Sequence, residues 1–355
     1  VVGIVLGVYI GTIVLLNIPN IQQAMSVFVA EELSEVLNTK VVIGRINMGL
    51  LNRIIIDDVL LDDQSGQEML KVTRLSAKFD IMPFFKGKIS ISSVQLFGFN
   101  INLRKETPDS PPNFKFVLDA FASKDTVKKE NSLDLRINSI LIRRGRMSYH
   151  VLSEEETPGK FNAKHIQLQN IIANISLKAL SKDSLNLGIK RLSLDEKASG
   201  FSLKKMSLKL VANNKQTNID NFTIELPETS LKLDTIHLEY DSLKAFDRFT
   251  EQVHFSFRTL PSQVTLKDIS PFVPILSHFK EPVTLDMEVK GTVDQLTCSH
   301  LEITADDRQF RLRGDVSLQD LSRPQDAYVY GTLSELSANT RGVGFLVRNL
   351  SPNYN

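Results

Sequence analysis

Apolar and polar residues alternate over most of the chain from residue 41 onward, as in β-strands with one apolar face. A longer motif recurs within this alternation. Two apolar residues flank a variable one, two polar residues follow, and the apolar pair then repeats. The apolar positions of the seven clearest copies are Val41, Ile43, Ile46 and Met48; Ile54, Ile56, Val59 and Leu61; Ile89, Ile91, Val94 and Leu96; Leu135, Ile137, Ile140 and Ile142; Leu187, Ile189, Leu192 and Leu194; Phe201, Leu203, Met206 and Leu208; and Leu231, Leu233, Ile236 and Leu238. The pattern predicts a mainly β protein.

The two polar residues at the centre of each copy shift the side-chain alternation by one position. In a regular strand this shift would turn the second apolar pair to the opposite face. A β-bulge at the polar pair keeps both apolar pairs on one face and bends the strand. The alternative is two short strands joined by a tight turn. Such turns prefer Asn-Gly or Asp-Gly, and central pairs such as Gly44-Arg45, Asp57-Asp58 and Asp234-Thr235 match neither. We therefore expect bent strands that share one apolar face.

The shared apolar face must be covered, and the pattern leaves two ways to cover it. A second sheet of the same chain would make a sandwich. Alternatively, the sheet curls into a groove whose apolar interior holds acyl chains, and bulges in mid-strand would supply the curvature. Periodicity alone favours the sandwich, since an apolar groove without a ligand is prone to aggregate.

The N-terminal residues 1–16 form an uncharged, largely apolar run. A membrane-spanning helix needs about 20 apolar residues, so we predict that residues 1–19 are a transmembrane anchor. A signal-peptide core and a buried strand are the alternatives. Glycines at three positions four residues apart would let another helix approach closely; they are Gly3, Gly7 and Gly11. The anchor's apolar positions are Val1, Ile4, Leu6, Val8, Ile10, Ile13, Leu15 and Leu16.

Short helices are expected at a few places. Residues 20–40 contain an amphipathic pattern over 21–38, which we expect to cap the following strands. Residues 105–132 interrupt the strand pattern with three prolines and a helical stretch over 114–121, and we interpret them as an insertion into a β-groove that covers 41–355. Residues 243–252 and 269–279 are further short helix or turn candidates. We expect the β-groove to continue beyond residue 355.

Composition and motifs argue against several functional classes. The 42 basic and 41 acidic residues give a net charge of +1, which does not suit a nucleic-acid binder. The single cysteine, Cys298, excludes an internal disulfide framework. No two of the six histidines are close enough in sequence to suggest paired metal ligands. No HExxH, GxSxG, P-loop or GxGxxG motif occurs. We therefore expect no catalytic residues, no metal, no cofactor and no enzymatic activity.

Several segments together resemble the N-terminal region of the AsmA-like superfamily, and most closely its TamB branch. They are IQQAMSVFVAEELSEVLNTKVVIGRINMGLLNRIIIDDVLLDD, KGKISISSVQLFGFNINLRK, NFKFVLDAFASKD, LDLRINSILIRRGRMSY, DISPFVPIL, LDMEVKGTVDQL and FRLRGDVSL. The resemblance covers nearly the whole chain and lies in patterns rather than in single signature residues. It implies an elongated, strongly curved β-groove (a β-taco) behind an inner-membrane anchor, in the periplasm of a diderm bacterium.

The resemblance shifts the expectation from sandwich to groove and implies a function. The family is implicated in carrying phospholipid between the two membranes and in assembling outer-membrane β-barrel proteins. We expect a membrane-tethered lipid conduit whose partners are phospholipid acyl chains and the inner membrane. The alternative is a scaffold that assists the assembly of outer-membrane β-barrels, with a barrel protein of the BamA/TamA type as partner. The predicted groove residues are Ile54, Ile56, Val59, Leu61, Ile89, Ile91, Val94, Leu96, Leu135, Ile137, Ile140, Ile142, Leu203, Met206, Leu208, Leu231, Leu233, Ile236 and Leu238.

Overall fold

The protein is mainly β in the residues that its structure, a computed structural model, describes. These are residues 11, 14–49, 52–80, 91–122, 138–181, 184–305, 309–323 and 326–350. Their seventeen strands belong to one mixed sheet, so they do not form the two-sheet sandwich that periodicity favoured. The chain divides into two compact units, residues 1–174 with 194–199 and residues 175–193 with 200–355.

Five strands and two helices make up most of the described part of the first unit. The helices are α1 (Pro19–Leu37) and α2 (Lys115–Ala122). The strands are β1 (Val41–Gly49), β2 (Arg53–Asp62), β3 (Glu68–Phe79), β4 (Ile91–Lys105) and β5 (Ser139–Val151). The next two strands, β6 (His165–Ser181) and β7 (Ser184–Glu196), contribute residues to both units.

The stretch interpreted as an insertion connects two parallel strands. Strands β1 to β4 pair antiparallel in sequence order, but β5 pairs parallel to β4. Parallel neighbours need a crossover connection, because the chain must return to the end from which it started. The residues between β4 and β5 provide that connection, and they include α2, one residue later than the predicted helix over 114–121.

All five strands of the first unit bend at the same level. At this level the ladder skips one position in each pairing among β1 to β4 and two positions between β4 and β5, and the same register resumes after the gap. The skipped positions face one another across the sheet: Gly44, Asp58, Thr73, Gly98 and Arg144. Three of them have a positive φ, +55° at Asp58, +64° at Gly98 and +56° at Arg144. We call this line of residues the bend line.

The bend line puts the apolar pairs of each strand on one face. In β1, Val41, Ile43 and Ile46 are buried while Gly44 and Arg45 are exposed. The one-face prediction is therefore confirmed in β1. The mechanism differs from the predicted bulge, because facing strands bend together and no register shift results. A register-shifting bulge of the predicted kind does occur at Ser92, opposite the step from Lys78 to Phe79. The pair Asn138-Ser139 lies at the start of β5 instead of at a mid-strand bend.

The apolar residues of neighbouring strands face one another in four cross-strand rows, which we call rungs. Residues directly opposite in a sheet share a face. Two rungs lie on one side of the bend line: Val41, Leu61, Leu70, Ile101 and Met147; and Ile43, Val59, Val72 and Phe99. Two lie on the other side: Ile46, Ile56, Leu75, Leu96 and Ile142; and Met48, Ile54, Ala77, Val94 and Ile140.

Helix α1 covers one part of this face. It starts at Pro19, whose fixed φ suits a first helical turn. It ends at Asn38, which is left-handed (φ 49°) and donates its backbone N–H to the Glu35 carbonyl. Buried Ala30 and Leu37 pack in a cluster with residues of β1 to β3, and Phe116, Val117 and Ala120 of α2 pack against the same cluster.

Most of the predicted anchor lies outside the described residues. Gly11, Leu15 and Leu16 are described and helical, and the Leu15 side chain is exposed. In the described part of the chain, we find no helix whose length and apolar character would let it cross a membrane.

The second unit contains ten further strands. They are β8 (Ser202–Asn213), β9 (Gln216–Glu225), β10 (Ser230–Lys232), β11 (Ile236–Glu239), β12 (His254–Arg258), β13 (Ser262–Val264), β14 (Val283–Gly291), β15 (Gln295–Ala305), β16 (Phe310–Gln319) and β17 (Tyr328–Ala338). Helical turns occupy Leu243–Arg248, α3 (Phe249–Gln252), Leu266–Ile269 and Pro274–His278, close to the predicted stretches. A terminal helix, α4 (Thr340–Leu350), was not predicted. Its buried Phe345 packs on Phe310.

Bends recur in the second unit. Strands β10 and β11 pair with β9 in a single register, so Asp234-Thr235 interrupts one continuous strand rather than forming a hairpin turn. Asn221 of β9 faces this interruption and has a φ of +53°. The antiparallel β14 to β17 then carry register shifts at successive pairings, between Glu288 and Val289 and between Arg313 and Gly314 among others.

Replacement of Gly98 by Ala tests the bend line. A left-handed φ costs a residue with a side chain about 1–2 kcal/mol. A Cβ at Gly98 would also lie 2.7 Å from Thr73 Oγ1, where crowding costs about 1–3 kcal/mol more. Gly66→Ala is the matched control, because Gly66 has a φ of +78° with open space around it. We expect Gly98→Ala to lower the free energy of unfolding in urea more than Gly66→Ala does.

The double variant Gly98→Ala/Thr73→Ala separates the two costs. Removal of the Thr73 hydroxyl relieves the contact but leaves the strained φ, so the double variant should be more stable than the sum of the single changes predicts. Equal losses for the two glycine variants would contradict a close approach at the bend line.

Candidate functional site

The apolar face of the first unit is only partly covered. The cluster that α1 and α2 form with the sheet includes residues of β1 to β3, such as Ile54 and Ile56. Residues of β4 and β5 in the same rungs lie outside this cluster and remain half-buried: Val94, Leu96, Ile140 and Ile142. An apolar surface made of strand side chains is therefore open at β4 and β5.

The opposite face of the same strands is mostly polar, although Ile55, Leu60 and Leu141 also lie on it. Asp57 and Arg74 are directly opposite each other there, with Arg74 Nε 2.6 Å from Asp57 Oδ1. On β5, the guanidinium of Arg144 lies over the Phe97 ring, 5.3 Å from its centroid. The first unit therefore separates an apolar face from a charged one.

Strands β14 to β17 of the second unit repeat this separation. Their apolar rungs include Leu285, Ile303, Leu312 and Leu336, and also Val289, Cys298 and Val316. The alternate row carries the charges Asp286, Glu302, Arg313 and Glu335. Arg313 bonds to Glu302 at 3.0 Å and to Glu335 at 3.1 Å, and its contact with Glu302 lowers the pKa of that carboxyl. A polar cleft of about 850 Å³ lies over this charged row.

An apolar cavity of about 340 Å³ lies in the second unit, between strand ends and the helical turn Leu243–Arg248. Directly paired residues of β8, β9 and β11 line it, among them Leu210, Ile219 and Leu238. Phe246 from the helical turn closes one side. Buried Tyr240 is held by hydrogen bonds to Thr217 and to the Asn213 carbonyl. The helical turn therefore covers one end of the apolar surface that β8, β9 and β11 form here.

The structure brings several predicted groove residues together. Met206 and Leu231 both lie opposite Ile224, and Ile236 lies opposite Ile219, which lines the apolar cavity with Leu238. Leu208 borders a more polar cleft with lysines. Leu203 and Leu233 are buried, with 9% and 7% of their surface exposed, and are therefore not open to a ligand. Predicted residues outside the described ranges are Val1, Gly3, Ile4, Leu6, Gly7, Val8, Ile10, Ile13, Ile89, Leu135 and Ile137.

Two histidines that sequence spacing kept apart meet at the ends of β5 and β6. His150 Nδ1 lies 3.0 Å from His165 Nδ1, and the carboxylate of Glu156 lies 3.9 Å from His150 Nδ1. The sequence contains one signal from which the meeting of these histidines could have been predicted. Both histidines border a proline- and glycine-containing loop between two predicted strands, so a hairpin would place them opposite each other.

Two buried carboxylates organise the same ends of the first unit's strands. Burial alone would raise the pKa of Asp63, but hydrogen bonds from Ser65, Asn113 and the Gln67 backbone outweigh it and lower the pKa. Arg104 Nη2 lies 2.7 Å from Asp63 Oδ2. Burial likewise opposes ionisation of Glu196, but hydrogen bonds from Ser199 and from the backbone of Gln167 lower its pKa.

The lone cysteine is not a reactive thiol. Cys298 is buried in β15, and burial raises the pKa of its thiol. A raised pKa keeps the thiol protonated, and the thiolate is the reactive form. Its sulfur contacts the carbonyl of His300, whose ring is near Asp286 rather than Cys298.

Comparison with known proteins yields no match. No family model, no curated protein and no solved structure matches the chain.

The Asp63 network predicts a pH-dependent stability. The pKa of Asp63 is lowered on folding, so its ionised form stabilises the protein above the unfolded pKa of about 3.9, and the contribution is lost as the pH falls through the lower folded value. Asp63→Asn should lower the free energy of unfolding at pH 7 by about 3 kcal/mol, because it leaves Arg104 without its buried partner.

Asp62→Asn is the control, since the Asp62 side chain takes no part in this network. Unfolding curves at pH 7 and pH 3 should show the deficit of Asp63→Asn shrinking in acid, while Asp62→Asn stays close to the wild type at both. A deficit of the same size at both pH values would rule out the ionised carboxylate as its cause.

Proposed function

We propose that the protein is a lipid-binding conduit in which acyl chains lie on the apolar rungs. The observation that supports this best is the alignment of apolar residues in register across five strands, with polar residues on the other face. The rungs consist mainly of Ile, Val and Leu. They present no directed polar group, and a ligand without polar groups along its length suits them.

The length of a rung can be compared with that of an acyl chain. Neighbouring strands are about 4.8 Å apart, so a rung across five strands is about 19 Å long. Each leaflet contributes about 15 Å to the 30 Å hydrocarbon core of a bilayer. Because α1 and α2 cover the β1 to β3 part of the face, an acyl chain would lie on the open part at β4 and β5 and continue from one rung to the next.

The energetics favour binding without a fixed position. Each buried CH₂ contributes about 0.8 kcal/mol, so a phospholipid with two chains would be held well. Parallel rungs of similar composition offer several nearly equal positions. A bound chain could then shift from rung to rung without a large barrier, which is what transport requires.

The proposal also includes a membrane anchor and a cellular location for the β-rich part of the protein. Residues 1–16 carry no charge and precede α1 directly, which supports an anchor in this segment. Together with the resemblance to the AsmA-like superfamily, this supports an inner-membrane protein with a periplasmic body. Phospholipid would then move between the two membranes of a diderm cell.

A second candidate function is a scaffold for outer-membrane β-barrel assembly. The observation that favours it is strand β17, which pairs only with β16 among the described strands. Its large apolar side chains are exposed: Tyr328, Val329, Tyr330, Leu333 and Leu336. Such an apolar strand edge is the feature on which another strand adds, either from a barrel protein, as the scaffold requires, or from a continuation of this sheet.

Leu96→Arg tests the conduit, with Gln95→Arg as the matched control. Leu96 belongs to a rung with Leu75 and Ile142, whereas Gln95 faces the other way, opposite Ser76. A charge beneath an acyl chain costs about 3 kcal/mol, or about 100-fold in affinity. We expect Leu96→Arg to lose co-purifying phospholipid, measured by mass spectrometry, and to transfer fluorescent lipid between vesicles poorly.

Gln95→Arg should retain both properties, since its charge enters the polar face. Melting curves of both variants test whether they remain folded. We expect that they do, because Leu96 is only half-buried. A folded Leu96→Arg protein with wild-type lipid content would refute the conduit. Normal lipid content combined with defective barrel assembly in β17 variants would favour the scaffold.

Deletion of residues 1–16 tests the tether. The cut precedes Asn17, whose side chain donates to the Met48 carbonyl at 2.9 Å. The shortened protein therefore keeps this contact between the residues just before α1 and β1. We expect the shortened protein to leave the membrane fraction and remain folded by circular dichroism. Retention in the membrane pellet after a high-salt wash would contradict an anchor in this segment.

A further inference from the structure

The histidine pair in the first unit lies where a backbone hydrogen bond holds two strand ends together. His150 is next to the last residue of β5 and His165 is the first residue of β6. The Val151 N–H donates to the Lys164 carbonyl at 2.9 Å, which holds the two strand ends side by side. Glu156 lies in the loop between them. The nearest ligand atoms of His150, His165 and Glu156 all lie within 4.8 Å of one another.

The hydrogen bonds assign the protons on His165. Its Nε2 lies 2.9 Å from the Glu154 carbonyl oxygen, which can only accept, so Nε2 carries a hydrogen. In a neutral imidazole the other nitrogen then has a free lone pair, and His165 Nδ1 points at His150. A backbone carbonyl that fixes the tautomer through the far nitrogen is the usual outer-shell partner of a metal-binding histidine.

We propose that His150, His165 and Glu156 bind a divalent transition-metal ion of the zinc type. With Zn–N bonds of about 2.0–2.1 Å, two ligand nitrogens in tetrahedral geometry are about 3.3 Å apart. The two Nδ1 atoms, at 3.0 Å, are close to that separation. The Glu156 side chain is 62% exposed and can move the remaining distance without disturbing the core.

The surroundings leave the three groups available and leave room for a fourth ligand. Lys164, next to His165 in the chain, is paired with Glu154 at 2.5 Å. A cavity of about 180 Å³ lies beside the cluster, lined by Glu156, Pro158 and His165 among others. Water could complete the coordination from there. Two imidazoles and one carboxylate suit zinc, copper or nickel better than calcium or magnesium.

The bound metal would stabilise the fold locally as a cross-link. A metal held by both strand ends and by Glu156 of the intervening loop would cross-link β5, β6 and the loop between them. Binding to the folded state alone raises stability. A simple hydrogen bond between the two imidazoles would explain the 3.0 Å distance but would give Glu156 no role. Glu156 therefore distinguishes the two explanations.

Titration of the metal-free full chain with Co²⁺ and with Zn²⁺ tests the proposal. We expect one Co²⁺ per chain with the visible d–d absorption of a tetrahedral nitrogen and oxygen site, displaced by Zn²⁺. Loss of an outer-shell partner typically lowers metal affinity about 10–100-fold. His150→Ala and His165→Ala each remove a direct ligand and should therefore lower the Zn²⁺ affinity by more than that. Zn²⁺ should raise the melting temperature of the wild type and not of these variants.

The matched pair Glu156→Gln and Glu155→Gln keeps the test decisive if a histidine variant misfolds. Both residues are exposed in the same loop, but only Glu156 approaches the histidines. Glu156→Gln should weaken Zn²⁺ binding and Glu155→Gln should not, and His278→Ala, an exposed histidine elsewhere, should bind as the wild type does. No bound Co²⁺, or equal binding in the His150→Ala/His165→Ala double variant, would overturn the site.

Discussion

The parity of the strands is the constraint on which the rest of the fold depends. Each strand of the first unit changes parity once, at the bend line, and all five change at the same level. If one strand lacked its bend, half of its apolar residues would face the polar side and its neighbours' rungs would be broken. Aligned bends let β1 to β5 keep one register across the bend line together with a single apolar face.

Much of this arrangement could be predicted from local pattern. The polar pairs Gly44-Arg45 and Asp57-Asp58 mark the bend line, and the helical period before residue 38 marks α1. Both are properties of a few consecutive residues. The same spacing occurs in β3 as Leu70, Val72, Leu75 and Ala77, and these residues also fall into the rungs.

Other features depend on contacts between distant residues, and local pattern does not contain them. The parallel pairing of β4 with β5 arises because the chain between them crosses over, and the same stretch looks like an insertion in the sequence. The histidine pair depends on how the loop after β5 returns to β6. Helix α4 contains two glycines in eleven residues, so its formation owes more to the packing of Phe345 than to helix propensity.

The polar chemistry of the first unit is separated from its apolar face. Asp63 with Arg104, Glu196 with Ser199, and His150 with His165 all lie at strand ends or in the adjoining loops. A buried charge on the face itself would create an unfavourable position for an acyl chain, whereas the same groups at the strand ends fix the loops at no cost to the rungs. The proposed conduit would need strong local interactions to hold its shape and weak, uniform ones to let its cargo move. The strand ends of the first unit carry the former and its rungs the latter, so one sheet would meet both requirements.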